Sequence, residues 1–478
     1  MSQDRTAPAG EFRARCRAYP RWTVNFLAFT TFLYGLILSF TLPWTVQESL
    51  FSPESGLVNR GPFTMVWGVF LIVMGAIIML RWLAVQAMAF YEHDRVRRKP
   101  VEELVDAPFV SVLVPAFNES ETVIGALKSL IDLDYPRYEV IFVDDGSTDD
   151  TFVKAFPMAG EYPNCTLRVY TKPNGGKWSS LNFAYRKSKG DLLLCVDADS
   201  GLARDALKIM VPRIFEEGVV GVSGQVTIRN RHNFLTRLQA AEYLLGNGGM
   251  RTALSLLGAV TVVPGPIGLY KRDILERIAR LPGTQAPAAA HQGPGAVYGP
   301  LSGETFAEDF QLSLSALALG GRIVYEARAY AYTKCPDDVA GLMSQRYRWI
   351  RGTWQVYSIY MKTLCRVNKT EKMSLLPVVM TVLYPVDIFL VPLLNFFFWG
   401  AILVSIAFGQ SMGFVLGWIG SVSILNIMTA VVYILEQDDE VTLAPLIPVL
   451  DLYQSILVNS AWVIAAIDEA RGTRMRWS

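Results

Sequence analysis

The chain has 478 residues, of which 51% are hydrophobic and only 18% charged, with a net charge of +1. Soluble domains usually carry about 25% charged residues, so the balance points to a membrane, and a net charge near zero argues against nucleic acid as a partner. Five scattered cysteines (Cys16, Cys165, Cys195, Cys335, Cys365) and three histidines argue against a disulfide framework, a zinc site or a His-rich metal centre.

Residues 1–21 are polar and basic, with Arg5, Arg13, Arg15, Arg17 and Arg21. Residues 22–44 are uncharged and about long enough to cross a bilayer, and no small-residue cleavage site follows, so no cleavable signal peptide is expected. A polar loop covers 45–60, residues 61–80 are again uncharged, and Arg95, Arg97, Arg98 and Lys99 follow. Short Lys/Arg-rich loops stay inside, so residues 1–91 read as a transmembrane hairpin with both ends cytoplasmic.

Residues 92–341 read as a cytoplasmic α/β domain. Short apolar runs (Phe109–Val114, Val140–Val143, Leu192–Val196, Gly218–Val222, Ile323–Tyr325) alternate with helical patterns. The Gly-, Pro- and Ala-rich stretch 281–304 reads as a flexible loop. Residues 342–372 mix Arg, Trp and Tyr with apolar residues and read as amphipathic helices at the membrane surface, touching lipid. Residues 373–478 read as a C-terminal bundle. Its uncharged blocks are 374–408 (except Asp387), 411–435 and 441–467 (except Asp451), and a basic tail follows with Arg471, Arg474 and Arg476. Six spans in total satisfy the charge rule best, with 374–408 as a short hairpin; five plus an interfacial helix is the alternative.

Five segments carry chemistry. Asp144 and Asp145 end an apolar strand, where α/β sheets bind ligands; a plain Asp-Gly turn is the structural alternative. Asp197 and Asp199 alternate at another strand end, so both can face one ligand, and hard divalent cations prefer carboxylate oxygens. Lys172-Pro173-Asn174-Gly175-Gly176-Lys177, followed by Ser179, Ser180 and Asn182, lets backbone approach a phosphate, although alone it reads first as a surface turn. Glu308 and Asp309 offer a base for an attacking hydroxyl, or merely suit a helix N-terminus. Gln345-Arg346-Tyr347-Arg348-Trp349 combines cations for a diphosphate with an indole on which a sugar ring can stack; a basic helix against lipid headgroups is the bland reading.

Taken together, these segments resemble the processive family-2 glycosyltransferases, such as cellulose, hyaluronan, chitin-oligosaccharide and poly-N-acetylglucosamine synthases. The motifs span about residues 108–355 and the membrane layout spans the whole chain. The resemblance implies a GT-A type, Rossmann-like domain between transmembrane bundles, in the inner (plasma) membrane. It implies that Phe117 and Glu119 of Ala116-Phe117-Asn118-Glu119 form a first nucleotide loop, that Asp144 and Asp145 hold the nucleoside, and that Lys177 lies by the nucleotide. Asp197 and Asp199 would hold diphosphate-bound magnesium or manganese. Asp309, beside Glu308, would be the base of an inverting transfer. Gln345 and Arg348 would bind the diphosphate, and Trp349 the terminal acceptor sugar. Gly265 and Pro266 belong to a segment, Gly265–Tyr270, that is similar to an acceptor-side loop. The tail with Arg474, Arg476 and Trp477 is similar to a gating segment over the nucleotide. The implied partners are a UDP-sugar donor, a growing polysaccharide, membrane lipid and a small accessory subunit.

The family's usual Thr before Glu-Asp is Ala307 here, and no regulatory domain is expected after the spans. Asp387 and Asp451, at membrane depth, would face the bundle interior or a cavity. Two rival readings are a single-addition enzyme with a lipid acceptor and a nucleotide-binding channel or scaffold without catalysis. Sugar, linkage and polymer length stay open.

Overall fold

The computed structural model describes residues 20–51, 62–100, 106–281, 296–303, 305–367, 390–393, 395–396, 412–437 and 439–473. Two long helices open the chain, α1 (Arg21–Phe51) and α2 (Pro62–Arg98). The α/β domain follows: β1 (Val110–Ala116), α3 (Val123–Ile131), β2 (Tyr138–Asp144), β3 (Gly160–Glu161), β4 (Cys165–Thr171), α4 (Lys177–Lys187), β5 (Leu192–Cys195), β6 (Gly201–Leu202), α5 (Ala206–Ile214), β7 (Val219–Ile228), α6 (Phe234–Gly246), β8 (Gly268–Lys271), α7 (Arg272–Ala279), α8 (Glu308–Ala318) and β9 (Arg322–Thr333). Helix α9 (Val339–Val367) leaves the domain, and α10 (Met412–Gln437) and α11 (Asn459–Ala470) belong to the C-terminal part.

The strands form one mixed sheet in the order β3-β4-β2-β1-β5-β8-β7-β9-β6. β1 is parallel to both β2 and β5, pairing Ala116 with Asp144 and Leu113 with Cys195. Helices cover both faces, so every residue of β1 (VSVLVPA) and β2 (YEVIFVD) is buried, which is why these strands read as nearly continuous apolar runs. The chain winds outward from β1 through β2 to β4, then returns to β1's other side as β5. That reversal opens a crevice at the carboxyl ends of β1, β2 and β5, where open α/β sheets bind ligands.

At the opposite end of the sheet a buried carboxylate ties strands together. Glu139 on β2 is 1% exposed. It accepts from Ser111 Oγ on β1 at 2.7 Å, from Arg168 Nη1 on β4 at 2.6 Å and from the Lys189 amide at 2.7 Å. Removing it strands a buried hydroxyl, an amide and a guanidinium. Glu139→Ala is therefore expected to cost about 3–5 kcal/mol, read as a lowered Tm in detergent.

All five expected strands exist, and β7 and β9 run longer than expected. β4 and β8 were not legible. CTLRVYT has one half-exposed face, which dilutes its apolar signal, and GLYK is short and begins with glycine. Gly268-Leu269-Tyr270, expected within a loop, is strand β8.

Among the described residues, three helical stretches are long and apolar enough to cross a membrane: Arg21–Thr41, Ile419–Gln437 and Val441–Ala470. The last contains a π-helical turn at Gln454–Val458. Residues 62–80 of the expected span 61–80 fall within α2; Asp387 and most of 374–408 lie outside the described residues.

The helices and the α/β domain share cores. Val24 and Ala28 of α1 pack with Val432 and Leu435 of α10. Ala241 of α6 packs with Ala430 and Ile447. Leu238 of α6 packs with Leu342, Leu450 and Tyr453. At the end of α2, Glu92 pairs with Arg213 of α5 at 3.3 Å, both nearly fully buried.

Candidate active site

Three elements converge at the crevice. β5 ends at Cys195 and the chain turns through Val196-Asp197-Ala198-Asp199. The glycine pair before α4 delivers Lys177 at that helix's first position. α8 carries Glu308 and Asp309 in its first turn. Lys177 Nζ lies 2.7 Å from Asp197 Oδ1 and 3.3 Å from Glu308 Oε1. Lys177, Asp197, Glu308 and Asp309 line one cleft together with Cys195, Pro264, Gly265 and Tyr270, with about 340 Å³ between its walls including open solvent.

Charge in this cleft is unbalanced. Burial alone would lower the Lys177 pKa, but Asp197, Glu308 and Asp309 hold it well above the usual lysine value. Burial pushes the Asp309 carboxyl up to about 6; Glu308 adds to this and Lys177 opposes it. Burial, helped by the Asp197 charge, also raises Asp199. Asp309 is held in place from behind. Its Oδ1 accepts from the Phe310 amide at 2.7 Å, and its carbonyl accepts from Ser313 Oγ at 2.7 Å. Ser313 Oγ in turn lies 3.1 Å from Tyr270 Oη on β8, a long-range link with no local sequence signal.

Gly265 makes this arrangement possible. A Cβ at that position would lie 2.6 Å from Asp197 Oδ2 and 2.7 Å from Lys177 Nζ. The backbone at Gly265 thus runs against the carboxylate–ammonium pair, on the Asp197 side of the cleft, with Pro264 beside it and Pro266 following outside the lining.

Beside it, two loops are knitted together. Asn118, at φ 57°, is a non-glycine residue in the left-handed region, which asparagine tolerates. Its Oδ1 accepts from the Thr148 amide at 2.9 Å, and its own amide donates to Ser147 Oγ at 2.9 Å. Phe117 is left 47% exposed. Glu119 accepts from Thr122 Oγ1 at 2.8 Å. Burial, opposed by that bond and reinforced by Asp199 and Asp197, pushes its carboxyl up to about 7.

Asp144 and Asp145 are used differently. Asp145 pairs with Lys172 and accepts from the Gly175 and Gly176 amides at 3.1 and 2.7 Å. Both its oxygens therefore hold the 172–176 turn that delivers Lys177. Asp144 accepts from Thr171 Oγ1 at 2.9 Å through Oδ2 alone; its Oδ1 is buried without a partner.

The stretch expected to be flexible is partly pinned. Asn182 of α4 donates to the Val297 and Leu301 carbonyls at 2.9 and 2.8 Å and accepts from the Leu301 amide at 3.1 Å. Residues 296–303 thus form a strap over α4 that closes the cleft beside Leu301. Residues 282–295 lie outside the described residues.

α9 crosses the start of α8. A Cβ on Gly352 would lie 2.8 Å from Ala307 Cβ, so a glycine and an alanine allow the contact. A larger residue at 307 would push α9 away, which accounts for alanine where the resemblance led us to expect threonine. Residues three, four and seven before Gly352 share its helix face; these are Trp349, Arg348 and Gln345. Trp349 is 43% exposed, Arg348 is exposed, and Gln345 Oε1 is buried without a partner. The other face of α9 holds α11: Arg351 pairs with Glu469 at 2.9 Å and donates to the Thr473 carbonyl at 2.8 Å. Arg474, Arg476 and Trp477 lie outside the described residues.

Among the described residues, no group of three or more His, Cys, Asp or Glu side chains is arranged to hold a metal ion. Asp197 and Asp199 are hard oxygen donors that supply only part of a magnesium or manganese shell. They fit a cation whose remaining ligands come from a diphosphate and water.

Residues 111–279 match a family model described as Glycosyl transferase family 2. Those residues carry a family-2 glycosyltransferase domain, built on the mixed sheet described above. It is similar to a poly-beta-1,6-N-acetyl-D-glucosamine synthase of Staphylococcus epidermidis, 26% identical over 316 residues, which are 64% of this chain and 69% of the relative. A synthase of the same description from Staphylococcus aureus (strain COL) is 26% identical over 60% of this chain and 65% of its own length. Among solved structures, a mannosyltransferase from Pyrobaculum calidifontis in complex with GDP-Man and Mn2+ matches in fold, with TM-score 0.51 and 20% identity, covering 83% of this chain and 98% of that one.

Proposed function

We propose that this protein is a membrane-embedded inverting glycosyltransferase that polymerises a sugar from a UDP-sugar into a β-linked polysaccharide and passes the chain across the membrane. The observation that carries this reading is the convergence of Lys177, Asp197, Glu308 and Asp309 in one cleft, with α9, the helix that bears Trp349, crossing the start of α8 at Gly352. The relatives' descriptions make UDP-N-acetylglucosamine the first donor to test.

Asp309 accepts the proton of an acceptor hydroxyl as that oxygen attacks the anomeric carbon. The bond to the diphosphate breaks and the nucleoside diphosphate leaves. A carboxyl raised to about 6 is a stronger base than an ordinary aspartate and is still ionised at neutral pH. Lys177 faces the diphosphate, held by Asp197 and Glu308. Magnesium or manganese at Asp197 and Asp199 would neutralise charge on the departing diphosphate. The unpaired Asp144 Oδ1 is available to a donor N–H of the base, and Phe117 offers it an exposed ring. In this reading Gln345 and Arg348 bind the diphosphate, and Trp349 the terminal acceptor sugar. The polymer needs a water-lined exit through the helices, and the resemblance makes Arg474, Arg476 and Trp477 a gating segment over the nucleotide.

The base must be deprotonated to act. Turnover is therefore expected to fall as pH drops through about 6, approaching tenfold per unit below it, and to level off above it. A pH–rate profile with saturating donor checks this. The function itself is tested by a donor screen on purified protein with magnesium or manganese, following nucleotide release and product size. A ladder or smear from one UDP-sugar supports the polymerase. Nucleotide release with only a small lipid-linked product supports single addition instead.

A further inference from the structure

Trp349 is held by Arg346, a residue of its own motif to which no separate role has been given. The Arg346 guanidinium lies 4.4 Å from the centre of the Trp349 ring, one helical turn away on α9. Arg346 is itself 3% exposed, and its Nε has no partner. Its Nη2 pairs with Glu242 Oε2 on α6. Glu242 also accepts from Tyr453 Oη at 3.0 Å and from Gln454 Nε2 at 3.0 Å. Both donors come from the C-terminal helical run, at the mouth of its π-helical turn. A carboxylate bound on three sides thus fixes one arginine, and that arginine covers the indole of a tryptophan otherwise 43% exposed.

We infer that Glu242 is a positioning residue for the acceptor sugar: through Arg346 it sets the orientation of the Trp349 ring, and through Tyr453 and Gln454 it ties that orientation to the membrane helices. This rests on the reading of Trp349 as the platform for the terminal sugar. A cation over an indole contributes modestly at half-exposed sites and more when desolvated. Arg346 is nearly buried, and the pair joins three elements: α6, α9 and the 441–470 run. A tryptophan freed from its arginine would sample several rotamers, and the acceptor would bind to a fraction of them. Donor binding, which in this reading rests on Phe117, Asp144 and Lys177 rather than on the indole, would not change.

The test uses the full chain in detergent, with oligosaccharide made by the wild-type enzyme as acceptor. It compares Trp349→Ala, Glu242→Gln, Glu242→Asp and the double variant Glu242→Gln/Trp349→Ala. Acceptor KM, donor KM, kcat and Tm are measured for each. Glu242→Gln is expected to raise acceptor KM by about 3- to 10-fold with donor KM unchanged, to have no further effect once Trp349 is alanine, and to be partly rescued by aspartate. Tyr453→Phe, which removes one hydrogen bond to Glu242, is expected to shift acceptor KM the same way by less; it decides the matter should Glu242→Gln fail to fold. A fall in kcat and Tm with acceptor KM unchanged, or an effect of Glu242→Gln that persists without Trp349, overturns the inference and leaves a structural ion pair. If Trp349→Ala leaves acceptor KM unchanged, the platform reading itself fails.

Discussion

Replacing Asp309 with asparagine is expected to cut sugar transfer by about 10²–10⁴-fold while donor affinity stays within a fewfold of wild type. Asparagine keeps the size and the hydrogen bond from the Phe310 amide, so α8 keeps its start. It loses the only feature the step needs, a lone pair basic enough to take a hydroxyl proton. The cleft also loses one negative charge next to Lys177, which if anything favours a diphosphate. Single-turnover nucleotide release and a donor-binding isotherm on the same preparation separate the two effects. A variant that binds donor normally and transfers at wild-type rate would assign the base elsewhere, with Glu308 the nearest carboxylate.

A second large effect is expected from adding one methyl group. Gly265→Ala puts a Cβ between 2.6 and 2.8 Å from both Asp197 oxygens and Lys177 Nζ. The obstructed atoms are side-chain ends, so the fold can yield at small cost, but the ammonium and carboxylate must then part. Misplacing charged groups by about 1 Å can cost around 100-fold in rate. The expected outcome is a Tm close to wild type with activity lower by about that factor and a higher metal concentration needed for half-maximal rate. A variant with full activity would show that the Lys177–Asp197 contact is dispensable.

The parts of this molecule that were legible from sequence are those whose signal is local. β1, β2 and β5 are buried on both faces and stand out as apolar runs, and the carboxylates fall at their ends because that is where the runs stop. Lys177, Asp197, Glu308 and Asp309 were each recognisable by motif. Their convergence was not, because it depends on strand order and on the backbone at Gly265. Asp145 illustrates the limit: the motif links it to a nucleoside, whereas its oxygens are engaged by amides 30 and 31 residues away. Arg346 sits inside a recognisable motif, yet its partner Glu242 is 104 residues distant. Alanine at 307 was visible as a departure, and only the helix crossing at Gly352 gives it a reason.

The shared cores around α6 carry one more consequence. Leu238 and Ala241 lean on Leu450, Tyr453, Ala430 and Ile447, so no clean cut separates the catalyst from the helices that follow it. A fragment ending at residue 367 would present those apolar faces to water and is expected to elute as aggregate in gel filtration without detergent. The intact chain should instead melt in one cooperative transition, with enzyme and bundle failing together.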